Sequence, residues 1–362
     1  MAEALAVNTS LQSLVLAGQG IDDDVGVVLA KALRENRTLR HLRLAGRLIG
    51  TSPAFAAAMA QALGVNTTLK SLGVENHNLS DSACAALAQL LGTGVSLESL
   101  HLVCAGIGNA TGAAVAQALA RNTSLKSLHL DGLHLGDTAI VALAEALRLN
   151  ASQGGRLSRF ALSNPCLDIA PESQVGRAMA HALSQNAVLL GLELNFAYVG
   201  DAVGVPVAQA LRTNSSLALL HLHGEGMSDR TVEALREALQ TNVVLRTLQL
   251  NAVSADASAP RTSIADPECT LFVAPDFADQ WNWPATPAGM EVCCALERNR
   301  MLPEHWRHLV LLARKTESPR ALRAVAAMTE CGFRRAIFSF FVPPGAALPL
   351  ARPRGAAVLG ES

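Results

Sequence analysis

The feature that most constrains this 362-residue chain is that it repeats itself. Asn8 is followed by Leu11, Leu14 and Leu16, and the spacing returns as Asn36 with Leu39, Leu42 and Leu44, and as Asn66 with Leu69, Leu72 and Val74. It returns again after Asn122 (Leu125, Leu128, Leu130), Asn186 (Leu189, Leu192, Leu194), Asn214 (Leu217, Leu220, Leu222) and Asn242 (Leu245, Leu248, Leu250). Weaker copies at Leu97, Leu100, Leu102 and at Leu157, Phe160, Leu162 bring the total to nine, mostly 28 residues apart. A period of roughly 20–50 residues marks a stacked array, in which each unit buries its apolar face on its neighbours.

Within one unit, Leu-x-x-Leu-x-Leu sends its leucines to one side of a short strand, because side chains alternate along an extended backbone. A turn such as Gly136-Asp137-Thr138 or Met227-Ser228-Asp229 follows, and Asp137, Asp201, Asp229 and Ser80 are expected to cap the helix that comes next. That helix shows Ala and Leu at helical spacing, as in Val115, Leu119, Leu143 and Leu147. Extra residues interrupt the period at Thr51–Pro53, at Ala151–Gly155 and after Leu167 around Asp168–Glu172. They read as loops that absorb insertions, or as a place where a partner touches.

The strand leucines, the apolar residue five positions on (Leu135 after Leu130) and the helix Val141-Ala-Leu-Ala-Glu-Ala-Leu147 before Asn150 together resemble the leucine-rich repeat. The subtype is the ribonuclease-inhibitor-like one of NOD-like receptors and RanGAP-like proteins, and the resemblance covers about residues 1–252. It implies an α/β fold, a solenoid or horseshoe with a concave parallel β-sheet and convex α-helices. Function is open on this scaffold, which hosts many binding roles.

Composition narrows the classes further. Half of the residues are hydrophobic and 4% are aromatic, so Leu, Ala and Val must build the core. A formal net charge of −1 offers no electrostatic case for nucleic acid or an anionic membrane surface. Seven cysteines without regular spacing read as reduced thiols of a cytoplasmic protein. Lysine is confined to Lys31, Lys70, Lys126 and Lys315 while Arg and Ala abound, a bias that points to a GC-rich, bacterial genome. The N-terminus lacks the pattern of a signal peptide, and no run of about 18 apolar residues suggests a membrane span. Delivery into a host cell by a non-classical route fits the same facts. The Asn-x-Ser/Thr sequons at Asn8, Asn66, Asn122 and Asn214 are written by the repeat and read as structural asparagines.

The organisation expected is a nine-copy array over 1–252, an irregular loop over 253–287, a C-terminal helical cap over 288–342 and a disordered tail over 343–362. The cap rests on helices at Pro303–Lys315 and Pro319–Cys331, with Phe333, Ile337, Phe338, Phe340 and Phe341 packed on them or serving as an anchor. Residues 1–8 resemble the end of a repeat helix without a polar cap. The expectation is that the natural chain continues upstream, or that the first repeat is covered by a partner or by self-association.

Function is expected on the concave face, beside the strand leucines. One column there runs Val15, Arg43, Gly73, His101, His129, Ala161, Glu193, His221, Gln249, and the next runs Ala17, Ala45, Glu75, Val103, Asp131, Ser163, Asn195, His223, Asn251. His41, Ser71, Ser99, Ser127 and Arg159 form a third. These positions vary from copy to copy over a nearly constant leucine frame, as a recognition surface does. The residues expected to meet a partner protein are Arg43, Glu75, His101, His129, Asp131, Arg159, Glu193, His221 and His223.

His101, His129, Asp131 and Glu75 could in principle hold zinc, but a flat sheet converges poorly on a tetrahedron, and a polar, pH-sensitive patch is the preferred reading. Phosphate-loop, nucleophile-elbow and metalloprotease motifs are missing, and Cys293, Cys294, His305 and His308 read as structural. No cofactor, metal or catalysis is therefore expected. The picture is a protein-binding scaffold, possible as a bacterial effector. The alternative implied by the resemblance is a GTPase-activator-like or ubiquitin-ligase-associated substrate-recognition module, for which Asn78, Asn109 and Asn195 would be candidate positions.

Overall fold

A computed structural model describes residues 2–251, apart from 19, 47–52, 76–79 and 93–95. The chain divides into two compact units, Met1–Arg300 and Met301–Ser362, and every described residue belongs to the first. The expected loop, helical cap, tail and Phe cluster lie outside the described residues, as do Asn78, Cys293, Cys294, His305 and His308.

Nine strands follow one another: β1 (Ser13–Ala17), β2 (His41–Ala45), β3 (Ser71–Glu75), β4 (Ser99–Val103), β5 (Ser127–Asp131), β6 (Arg159–Asp168), β7 (Gly191–Tyr198), β8 (Leu219–Glu225) and β9 (Thr247–Asn251). They form one parallel sheet in sequence order. Helices alternate with them: α1 (Ala2–Val7), α2 (Asp23–Glu35), α3 (Pro53–Val65), α4 (Asp81–Gln89), α5 (Asn109–Leu119), α6 (Asp137–Ser152), α7 (Val175–Gln185), α8 (Gly200–Ala210) and α9 (Asp229–Leu239). Each strand and each helix packs against its predecessor and its successor. This is a leucine-rich-repeat solenoid.

The register explains the repeat. Leu42, Leu72, Leu100 and Leu128 pair one on the next, then Phe160, Leu192, Leu220 and Leu248. All of them are buried. A fully buried Leu contributes roughly 1.5–3 kcal/mol by leaving water, so each column is a continuous apolar ridge against the helices. Val115, Leu119, Leu143 and Leu147 face it from α5 and α6, fully buried as their spacing implies. At β1, which pairs only with β2, Leu14 and Leu16 are half-buried.

The repeating asparagines form a second ladder. Asn66 donates from Nδ2 to the carbonyls of Leu33 (2.6 Å) and Asn36 (3.0 Å), while its Oδ1 accepts from the amides of Thr68 and Leu69. Asn214 repeats this with Leu183, Asn186, Ser216 and Leu217, and Asn122, Asn150, Asn186 and Asn242 reach back in the same way. The sequons at Asn66, Asn122 and Asn214 are thus buried and engaged, and their side-chain nitrogens are committed to the backbone of the preceding repeat.

Helix capping departs from expectation. Ser80 and Ser228 do accept from Ala83 and Arg230 of their own helices. Asp137 and Asp229 instead sit inside the first turn, where a carboxylate complements the helix dipole. Asp201, in α8, accepts from the Ser228 amide (2.9 Å), the Ser228 hydroxyl (2.6 Å) and the Thr231 hydroxyl (2.7 Å), so it caps α9 of the next repeat. Asp81 in α4 serves α5 likewise through Gly108, Ala110 and Thr111. Burial pushes both carboxyls up, but the hydrogen bonds outweigh it and hold them below the ordinary Asp value.

The insertions lengthen elements. Residues before Leu157 carry α6 through Asn150 to Ser152; of those after Leu167 only Asp168 joins the ten-residue β6, whose register against β7 shifts between Asn164 and Asp168, and 169–172 form a loop and turn. The Thr51–Ser52 insertion lies outside the described residues.

Candidate functional site

The face of the sheet that the helices leave open is built by the residues between the leucines. Strand pairing runs Val15, Arg43, Gly73, His101, His129, Ala161, Glu193, His221, Gln249 along one column, and Ala17, Ala45, Glu75, Val103, Asp131, Ser163, Asn195, His223, Asn251 along the next. Arg159 belongs to the column that starts each strand, between Ser127 and Gly191. All nine residues singled out in the sequence therefore stand on this face, in three groups.

At β2 and β3, Arg43 Nη2 lies 2.6 Å from Glu75 Oε1. The Arg43 stem crosses Gly73, where an added Cβ would sit 3.3 Å from Arg43 Cγ. Arg159 leans over Gly191 in the same manner, at 3.8 Å. A glycine inside a strand marks a close approach, and here it makes a bed for an arginine stem. The sequence carries that signal in the two strand glycines, Gly73 and Gly191.

At β4 and β5, the His101 and His129 rings lie 4.3 Å apart between centroids and tilted by 51°. Burial pushes His129 down to about 4, with the neighbouring His101 adding to the effect. Burial lowers His101 as well, Glu75 opposing it and Arg43 reinforcing it. Asp131 stands in register between Val103 and Ser163, one column away.

At β7 and β8, His221 is 7% exposed and its Nδ1 lies 3.9 Å from Glu193 Oε1. Burial lowers His221 to about 4, and His223 adds to it; burial alone lowers His223. Burial raises Glu193, against the pull of Arg159. At neutral pH the four rings are neutral, so the charge of this face comes from Arg43, Glu75, Asp131, Arg159 and Glu193, which nearly balance. The Nε2 atoms of His101 and His221 are buried without a hydrogen-bond partner among the described residues. Asn195 donates to the Ser163 hydroxyl (3.3 Å), and Asn109 accepts from the Gly136 amide.

Among the described residues, no three His, Cys, Asp or Glu side chains are placed to hold a metal ion, and no helix is long and apolar enough to cross a membrane. Cys84 and Cys104 are buried thiols and Cys166 is an exposed one.

No protein-family model matches the sequence, and no curated protein does. Among solved structures, the chain is similar to the leiomodin-1 actin-binding site 2 (17% identity, 56% of this chain and 95% of that one, TM-score 0.38). It is also similar to the tropomodulin C-terminal domain of Caenorhabditis elegans (19% identity, 42% and 92%, TM-score 0.35). A third is the yeast Rad7 and Elc1 complex (14% identity, 72% and 82%, TM-score 0.28). At these identities and scores the likeness says nothing of activity or partner.

Proposed function

We propose that the chain is a protein-binding scaffold, of the ribonuclease-inhibitor-like repeat subtype, that recognises a partner protein through the open face of its sheet. One observation carries this reading. The buried face of the sheet is nearly the same in every strand, whereas the open face holds Arg43, Glu75, His101, His129, Arg159, Glu193 and His221 in fixed register, its residues varying along each column apart from the recurrent histidines. A rigid frame that holds varied polar groups keeps the ordering entropy of recognition small.

The reading extends to a bacterial effector-like protein that works in a reducing cytoplasm, its own or a host's; the low lysine content and the buried Cys84 and Cys104 thiols support it.

The test is quantitative capture from bacterial and eukaryotic lysates with the full chain and an Arg43→Glu/Arg159→Glu variant. Arg159 is exposed and Arg43 half-exposed, but the substitutions set carboxylates beside Glu75 and Glu193, so capture is compared at a temperature where the melting curve shows the variant folded. A partner recovered by wild type and reduced by about tenfold or more in the variant is expected, a change of about 1.4 kcal/mol. Equal recovery by both would remove the open face from the reading.

A further inference from the structure

A second feature lies off the open face, on the rim where each loop enters its strand. A groove of about 320 Å³ runs across the loops of the first three repeats. Its walls include Thr9, Ser10, Arg37, Arg40, Thr67 and Lys70, and no carboxylate lines it. These loops are rigid: Asn8, Asn36 and Asn66 each accept from the amides two and three residues ahead. Side chains one, two and four positions after each Asn therefore stand in rows spaced by about 4.8 Å, the distance between strands.

Four positions after the Asn stand Gln12, Arg40 and Lys70, whereas two later repeats carry Leu190 and Ala218 in that place. Among the described repeats, two cations follow one another in this third row only at this end: Lys126 and Arg246 hold the same place in later repeats, but Lys126 stands beside Glu98 and Ser158, and Arg246 follows Ala218. The next repeat offers Glu98, 3.6 Å from Lys70 and 2.6 Å from Lys126, and so closes the cationic stretch. Arg37 donates from Nη1 to the carbonyls of Arg34 (2.8 Å) and Asn36, which holds its guanidinium at the rim. Arg40 is exposed and has no partner among the described residues, and neither have the hydroxyls of Thr9, Ser10 and Thr67.

We propose that this groove binds the phosphoryl group of a small phosphate-bearing molecule, between the guanidinium groups of Arg37 and Arg40 and the ammonium of Lys70. Forked guanidinium donors suit an oxyanion with several oxygens, and three cations suit a dianion better than a single carboxylate. The remaining lining is hydroxyl-rich, which supplies neutral donors to further oxygens. The volume lies at the lower end for small-molecule sites, about 300 Å³ and upward, and leaves room for more than the phosphoryl group. The proposal is independent of the open face.

Calorimetric titration of the full chain with pyrophosphate tests it, with sulfate as the comparison anion and an Arg40→Gln/Lys70→Gln variant. One saturable site is expected for wild type, weakened about tenfold or more in the variant and for sulfate. The ligand-free melting temperature of the variant should match wild type, since both side chains lie at the surface. The Arg43→Glu/Arg159→Glu variant should bind pyrophosphate as wild type does. No saturable binding up to about 10 mM pyrophosphate would overturn the proposal, as would an unchanged affinity in the variant. Equal affinity for sulfate would reduce the site to a general anion trap, and preference for a phosphoserine peptide would overturn the small-molecule assignment.

Discussion

His129 and His221 are the side chains most sensitive to acid. Each is neutral in the fold with a value near 4, against 6.5 for a free imidazole, because ionising would strip solvation it cannot recover. Unfolded chains therefore bind these protons first, and stability present above pH 6.5 is lost as pH falls through 4. Glu193 has the opposite sign: its raised value weakens the fold as pH climbs past its ordinary range, so acid partly relieves it. Two rings outweigh one carboxyl. The urea midpoint should fall between pH 6.5 and 4, by at most roughly 3 kcal/mol per ring, and His129→Gln should flatten the curve. A midpoint that rises over that interval would contradict the burial of the rings. The columns that hold these residues were legible in the sequence, because a period of two and a fixed repeat leave one register. Their burial was not, since it depends on how closely His101 and Glu193 crowd the rings from adjacent strands and His223 from two places along the same strand.

Helix packing turns on a notch between α7 and α8. Pro206 stands inside α8 and has no N–H to offer the Ala202 carbonyl four residues earlier. That oxygen sits against Gly176 of α7, where an added Cβ would be 1.9 Å away. Gly176→Ala should therefore force the helices apart and cost about 2–4 kcal/mol, at the upper end for overpacking, read as a lowered melting temperature. Ordinary helix propensity predicts the reverse sign, a gain of up to about 1 kcal/mol for Gly to Ala, so the experiment separates the two. Neither the notch nor the Asp201 cap could be found by scanning one helix: each joins residues about 26–30 positions apart, in different repeats. Element identity came through because Leu and Ala spacing is local; element contacts did not.

Across the array, the strands and helices of each repeat pack on those of the repeats before and after it. A lesson in locality follows for a buried asparagine. Asn122→Ala removes the bonds to Leu91, Ser124 and Leu125 and leaves buried backbone groups unpaired, a loss of roughly 2–4 kcal/mol. Amide exchange should quicken around β4 to β6 and stay slow in β8, where no bond has been lost; uniform quickening would mean a single cooperative block.

The asparagine ladder has an orientation, because every amide reaches backward to carbonyls of the repeat before it and none reaches forward. Tandem duplication of a whole repeat therefore copies a donor together with the acceptors that the following copy needs, and leaves no orphan at the seam. The gene can lengthen or shorten this scaffold in whole steps, and the span of its binding face becomes an evolvable quantity that requires no redesign of the joints.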